Sequence, residues 1–471
     1  MSSIKYFEDI KRRGKLDDNE YQREGIMWCV KNECENRWGI KGGFIADDMG
    51  LGKTIQMIGV MYCNFVKNTL IIMPQVLLDQ WYIEIYRLTG HKALIYHGEN
   101  KKNITNEEVS SAKIVLTSYG NIIKKNALHE IRWSRIIFDE AHHLRNKNTA
   151  VYRGAKALKS KIRWLVSGTP VQNSKKDFYA LCSIVGLQAS DYMDSSKLRE
   201  LTRMFILKRT KKQVGIKIEE LHISKSIVEW SSMKEKELSE ELHSALAFSG
   251  VRMKSMGLLS ALVGKSALPL FLRARQSCIY PKLMVGRLEE LVNKGMIRDY
   301  SQYREGLNNS SKLDAAINAV LDRKENGCGK LIFCHFREEI DEIERRLREG
   351  GISKVERLDG RTHAKNRQEI LTGSNDVLIL QIQTGCEGLN LQEHYSEIYF
   401  ISPHWNPAVE DQAIARCHRI GQKKEVNVYR FEMDTFGKVE DGSMPTRSID
   451  KYVNCVQDGK RILANEIIVN E

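Results

Sequence analysis

The chain has 471 residues, 42% hydrophobic and 28% charged, which is enough to bury sizeable cores and more than one ordinary domain holds, so two or three domains are expected. Its ten cysteines are scattered without a C-x-x-C pair, which excludes a zinc ribbon, knuckle or RING-type site and points to a reducing compartment. The formal net charge is +13, no segment reaches eighteen apolar residues and the first twenty lack an apolar signal core, so the expected setting is intracellular, without a membrane and with an acidic partner.

After an N-terminal extension, residues 1–15, short apolar runs recur at 43–46, 69–73, 113–117, 135–138 and 163–167. Runs of four or five apolar residues suit strands buried on both faces, as in parallel sheets, and the helical stretches between them give an α/β pattern. Residues 16–222 are therefore expected to form a first lobe. Between 223 and 310 the texture changes. Residues 233–243 read as a charged helix and 258–272 as an apolar helix, with Met253 and Met256 as packing residues, so this region is expected to be a helical insert and connector. Strand candidates resume at 330–334, 355–358, 376–380, 398–401 and 426–429, with a charged helix at 341–348 and a final helix at 448–468. Residues 311–471 thus form a second expected α/β lobe.

Two patterns in the first lobe carry chemistry. Gly50-Leu51-Gly52-Lys53-Thr54 follows an apolar run and opens a helical one, the context of a phosphate-binding loop. Glycines let backbone N–H groups approach phosphate, Lys53 reaches the outer phosphates and Thr54 offers a hydroxyl to Mg²⁺. The strict loop pattern has Gly where Asp47 stands. Asp139 and Glu140 end the apolar run 136–138, at the C-terminal edge of a strand, where α/β proteins bind ligands. Asp139 is the expected Mg²⁺ ligand, and Glu140 the base or orienting group for water. His142 and His143 lack the companion ligands of a metal site and read as structural, His142 bridging toward residues 167–169.

Between Arg145 and Lys212 lie sixteen Lys and Arg against four Asp and Glu, leaving the rest of the chain nearly balanced. Such a run is either a set of solvated helix faces or a surface that follows a phosphate backbone; the neighbouring motifs favour the second. In the second lobe, Gln412, Arg416 and Arg419 stand in Gln412-Ala-Ile-Ala-Arg-Cys-His-Arg-Ile-Gly-Gln422, a paired-arginine motif.

From Tyr21 to Arg430 these motifs, in this order, resemble those of helicase superfamily two, and within it the Swi/Snf-type DNA-dependent ATPases, with the wording Trp405-Asn-Pro-Ala-Val-Glu-Asp-Gln-Ala413 closest to the post-replication-repair and transcription-termination subgroup. Residues 15–28 resemble the family's adenine-binding segment. Residues 47–56 match its phosphate loop, in which Asp47 is expected and Asp48 replaces Glu. Residues 70–81 and 116–120 resemble DNA-contacting segments, 167–173 the coupling motif, and 204–214 the basic end of the first lobe. Residues 272–281, 311–313, 330–336, 357–362, 385–391 and 418–422 follow in family order. Tyr280, Cys386 and Ala415 depart from it, standing where His, Gly and an acidic residue are usual.

The resemblance implies two RecA-like lobes, each an α/β parallel sheet flanked by helices, and an ATP hydrolase that uses Mg²⁺. It implies that Gln22, Asp48, Gly50, Gly52, Lys53, Thr54, Gly388 and Gln412 contact the nucleotide, that Thr54 and Asp139 hold the metal, and that Lys53, Asp139, Glu140, Arg416 and Arg419 carry catalysis, the two arginines reaching the γ-phosphate from the second lobe. An arginine's planar, always-charged fork suits a transferring phosphoryl group. The implied activity is translocation on double-stranded DNA, gripped by its phosphates with low sequence specificity, to displace bound proteins such as nucleosomes or RNA polymerase. A single-strand translocase or unwinding helicase in transcription or repair, and a non-catalytic DNA-binding scaffold, are the alternatives. The family setting implies the nucleus or a cytoplasmic viral factory. No RING, bromodomain or chromodomain pattern is expected within these 471 residues.

Overall fold

Burial on both faces turns the apolar runs into strands. In the computed structural model, residues 2–16, 19–246, 267–385, 388–437 and 446–467 are described. They divide into two units, one of residues 1–217 with 460–471, the other of residues 218–459. Cys386, Met253, Met256 and most of the apolar stretch 258–272 lie outside the described residues. Among the described residues, no helix is long and apolar enough to cross a membrane.

The first unit holds β1 (Gly42–Ile45), β2 (Thr69–Met73), β3 (Leu94–Ile95), β4 (Ile114–Ser118), β5 (Arg132–Asp139), β6 (Lys159–Val166) and β7 (Ile206–Leu207). They form one sheet in the order β3-β4-β2-β5-β6-β1-β7, every pairing parallel. Successive side chains go to opposite faces. Phe44, Leu70, Ile72, Ile136, Phe138 and Leu165 pack into one core, and Ile45, Ile71, Met73, Ile137, Trp164 and Val166 into another. Helix Ser2–Gly14 buries Phe7 and Ile10 in the second of these cores. The end of the chain contributes Ile467 to the first.

The second unit holds β8 (Leu221–Val228), β9 (Gly329–Cys334), β10 (Val355–Leu358), β11 (Val377–Gln381), β12 (Tyr395–Phe400) and β13 (Val426–Met433), again all parallel, in the order β10-β11-β9-β12-β13-β8. Ile332, Cys334 and Ile379 face one core, Leu331, Phe333 and Leu380 the other. Two parallel sheets flanked by helices are the α/β architecture the sequence predicts. β8 departs from expectation: it falls where the sequence reads as the edge of the connector. Six of its eight side chains are exposed, so no buried face marks it, and it pairs with β13 through the backbone ladder and a Lys225–Glu432 ion pair at 2.5 Å. Helices Met233–Ser244, Arg337–Glu349 and Ile449–Ile467 lie where the charged and final helices are expected.

Each unit is fastened by a buried ion pair. In the first, Arg135 and Glu33 are both essentially inaccessible. Arg135 Nε donates to Glu33 Oε1 at 2.6 Å, and Arg135 Nη2 closes the second arm of the fork on Oε2. Trp164 Nε1 donates to Oε1 at 2.8 Å and Asn64 Nδ2 to Oε2 at 2.7 Å, so the carboxylate joins helix Glu20–Cys34 to β5 and β6. In the second, Lys312 Nζ meets Asp450 Oδ2 at 2.5 Å, with Ser402 Oγ and Met433 N completing the carboxylate. Burial holds His243 down to about 4, so the neutral ring accepts Ile449 N–H at Nε2 and donates to Ser239 O from Nδ1.

Replacing Arg135 by Leu leaves the Glu33 carboxylate buried without its counter-charge, and such losses run to about 3–5 kcal/mol. Denaturant unfolding followed by tryptophan fluorescence is expected to show a loss of that order; a change within about 0.5 kcal/mol, the range of an ordinary surface substitution, would show that the pair does not fasten the sheet.

Candidate nucleotide site

β1, β6 and β5 are neighbours, and their register aligns Ile45 with Val166 and Val166 with Asp139. The three C-terminal ends therefore release the loop of residues 46–52, Ser167 with Gly168, and Asp139 with Glu140 at one edge of the first sheet. That edge is where parallel α/β sheets take ligands.

The loop runs directly into helix Lys53–Cys63. Gly52 caps it at φ +72°, in the left-handed region, and a Cβ there would lie 2.5 Å from Gln22 Nε2. Glycine is thus required twice, by conformation and by the approach of Gln22. Gln22 is buried, and its amide nitrogen donates to Tyr21 Oη at 3.2 Å and Leu51 O at 3.4 Å. Gly50 also has a positive φ, +93°. Lys53 Nζ donates to Asp47 O at 2.8 Å and Asp48 O at 3.2 Å. Burial lowers its pKa, while the carboxylates of Glu140, Asp47, Asp139 and Asp48 favour its charge. Thr54 follows in the first turn of the helix.

Asp139 is buried, and each of its oxygens accepts one hydrogen bond: Oδ2 from Trp81 Nε1 at 2.7 Å, Oδ1 from Glu140 N at 2.9 Å. Burial and the adjacent Glu140 carboxylate push its pKa up to about 6, against the pull of those bonds and of Lys53. Glu140 is one of few non-glycine residues in the left-handed region, at φ 48°. Its Oε2 lies 3.3 Å from His142 Nδ1, and the His142 ring stacks on His143, which stacks in turn on Tyr119. The Tyr119 hydroxyl donates to Asp139 O at 2.7 Å. Both histidines therefore serve the carboxylate turn. Among the described residues, the group with metal-ligand spacing is Glu220, His222 and Glu425, all exposed.

In residues 167–173, Ser167 N donates to Ile45 O at 3.1 Å, and Thr169 Oγ1 accepts from Gln172 Nε2 at 3.2 Å. The second unit gathers its own candidates. Helix Pro407–Ile414 carries buried Gln412. In the turn that follows, Arg416 O accepts from Leu391 N at 3.1 Å and Arg419 Nη1 donates to Asn390 Oδ1. Gly388, φ +73°, lies two residues before that asparagine, so the loop and both arginines form one local group. Burial and Arg416 lower the Arg419 pKa. Trp405 is an anchor within this unit, its ring under the Arg275 guanidinium at 5.4 Å and against Phe271 at 5.6 Å.

Two residues at the first edge carry more than the sequence assigned to them. Trp81 ends a segment that resemblance gives to DNA contact, yet it is 1% exposed and its indole N–H holds Asp139. Arg209 lies in the basic run, yet its guanidinium is bound to Asp47. Of the sixteen basic residues in that run, eleven are exposed; Arg145, Arg163, Lys208, Arg209 and Lys211 are half-buried. Arg163 bonds Ile184 O at 2.8 Å, so the run is partly internal scaffolding and partly a cationic surface.

A family model described as the SNF2-related domain matches residues 21–283, and one described as the helicase conserved C-terminal domain matches residues 311–421. An uncharacterized ATP-dependent helicase of Mycoplasma pneumoniae is 29% identical over 96% of this chain and 42% of its own length. The ISWI chromatin-remodeling complex ATPase ISW2 of Saccharomyces cerevisiae is 30% identical over 89% of this chain and 39% of its own. A probable global transactivator of Orgyia pseudotsugata multicapsid polyhedrosis virus is 26% identical over 95% and 91%. The chain thus spans under half the length of the first two and nearly all of the third. Among solved structures, the Sulfolobus solfataricus SWI2/SNF2 ATPase core in complex with dsDNA aligns over 96% of this chain and 93% of its own, at 23% identity and a TM-score of 0.42.

Asp139 also makes a stability prediction. Its carboxyl ionises near 3.8 when unfolded and near 6 when folded, so the folded state holds the proton more tightly and stability falls as pH rises between those values. Above them the penalty is full. Without nucleotide or metal, Asp139→Asn is expected to change the denaturation midpoint more favourably at pH 7.5 than near pH 4, because the hydrogen bond its amide nitrogen cannot accept is lost at both values while the charge penalty is relieved only at the higher. An equal effect at both values would contradict the burial argument.

Proposed function

Because the chain belongs to the SNF2-related family of ATP-dependent helicases, we propose that it is a DNA-dependent ATPase that moves along double-stranded DNA and displaces proteins bound there, nucleosomes and RNA polymerase among the candidate loads. The observation that supports this most is the meeting of Lys53 with Asp139 and Glu140 at one sheet edge, beside a glycine-lined loop that opens a helix.

In this reading Gln22 takes the adenine. The loop at Asp48, Gly50 and Gly52 presents backbone N–H groups to the phosphates, and Lys53 neutralises the outer ones. The donor set fits Mg²⁺: Thr54 and Asp139 offer oxygen ligands, each Asp139 oxygen keeps a lone pair beyond its hydrogen bond, and a buried carboxylate beside a half-buried one is a surrounding that a divalent cation stabilises. The cation would supply Lewis-acid charge to the phosphates. Glu140 orients the attacking water or takes its proton, positioned by the left-handed turn and His142. In the second unit Gly388 and Gln412 serve the nucleotide, and Arg416 and Arg419 stabilise charge on the transferring group.

The exposed lysines and arginines between 145 and 212 suit a phosphate backbone. Binding through them is weakly sequence-specific and falls steeply with salt. The chromatin-remodeling assignment carried in the name of the Saccharomyces cerevisiae relative fits a motor of this kind.

ATP turnover is expected to be stimulated most by duplex DNA, less by single strands and least by RNA, without strand displacement. Lys53→Ala and Glu140→Gln are expected to abolish it, and Arg416→Ala or Arg419→Ala to lower kcat by about 10³–10⁵-fold. Turnover highest on RNA, or undiminished in Lys53→Ala, would overturn the reading.

A further inference from the structure

Resting on the ATP site just proposed, we infer that Arg209 is a positioning residue which holds the base-reading and phosphate-holding parts of that site in register, and so sets preference for a 6-amino over a 6-oxo purine nucleotide. Asp47, in the phosphate loop, is wholly buried. Arg209 Nε donates to its Oδ1 at 3.1 Å and Nη2 to its Oδ2 at 2.6 Å, the bidentate fork for which arginine is suited. Nη2 also donates to Gln56 Oε1 at 2.9 Å, and Gln56 Nε2 returns a bond to Asp47 Oδ2 at 3.0 Å. Nη1 donates to Tyr21 O, and the guanidinium carbon sits 5.5 Å from the Tyr21 ring centre. One side chain thus grips the loop, the helix after it and the helix that carries Gln22.

The backbone reinforces this. Ala46 N donates to Leu207 O at 2.7 Å, Arg209 N to Asp47 Oδ1 at 3.0 Å, Asp48 N to Arg209 O at 2.9 Å and Lys211 N to Asp48 Oδ2 at 3.2 Å. Gly25 leaves the space the network occupies: a Cβ there would fall 2.6 Å from Arg209 Nη2 and 2.2 Å from Gln56 Oε1.

The link to base choice runs through Tyr21. Its hydroxyl and Leu51 O take the N–H groups of the Gln22 amide, which leaves that amide its carbonyl oxygen for the base. A carbonyl accepts from the 6-amino group of adenine and repels the 6-oxo group of guanine. Loosening Arg209 frees Tyr21, lets the amide turn over and erodes that distinction.

Arg209→Lys keeps the charge and loses the fork. For the full chain on saturating duplex DNA, kcat and KM are measured with ATP and with GTP, and the thermal midpoint without nucleotide. The expected result is a KM for ATP raised about tenfold and an ATP-over-GTP preference in kcat/KM reduced about tenfold. A preference equal to the parent's overturns the proposal, whether or not the midpoint moves, because a residue that only bolts the fold leaves base choice alone. If Arg209→Lys does not fold, Gly25→Ala, which pushes the guanidinium aside while retaining it, is read in its place by the same criterion. Lys53→Ala separates the two levels. If it still turns over ATP, the site itself is misassigned. If it is inactive while the base preference of Arg209→Lys matches the parent's, only the role of Arg209 falls.

Discussion

A carboxylate with no access to water lies under the phosphate loop, and the arrangement of the first unit's functional edge follows from how it is satisfied. Asp47 accepts from the Arg209 backbone and both arms of its guanidinium, and from the Gln56 amide. An unpaired charge there would be strongly destabilising, so the loop, the helix behind it and the strand β7 beside it are held as a set. The result is a loop whose shape is fixed before a ligand arrives, the condition under which backbone dipoles act on phosphate without reorganising.

Beside that charge stands a buried carboxylate pressed against a like neighbour. Asp139 and Glu140 are adjacent, Asp139 is buried, and Glu140 is held in a backbone region that most residues avoid. Trp81, Tyr119 and His142 fix the turn without neutralising it. Like charges held close weaken a fold, yet they form the environment that a divalent cation favours, which is how a functional edge carries strain that the rest of the sheet offsets. The second unit shows the same economy: Lys312, Asp450 and neutral His243 are consumed by structure, while Arg416 and Arg419 are gathered with the Gly388 loop.

Most of the fold was legible because strands such as Thr69–Met73 and Val377–Gln381 are buried on both faces and write themselves as continuous apolar runs, or nearly so. β7 is two residues long and β8 largely exposed, so neither leaves such a trace. That residues 46–52, Asp139 and Glu140 gather at one sheet edge was legible because each sits where a strand ends, and local chemistry marks the spot. Trp81 and Arg209 were not, because their partners lie 58 and 162 positions away along the chain. The basic run misled in part for a related reason: charge in a sequence carries no record of which face it takes, and Arg163 and Arg209 turn inward.

The sequence alone determined the α/β class and the order of the motifs, and it supplied the groups proposed to meet a nucleotide, since these depend on local periodicity and on residue type. Only the tertiary structure decided that β5, β6 and β1 stand side by side in register, that an indole holds Asp139 and that an arginine from the end of the first unit locks the phosphate loop. Those are contacts between distant segments, selected by which buried charges and donors satisfy one another when the sheet closes, and no short window of residues contains both partners.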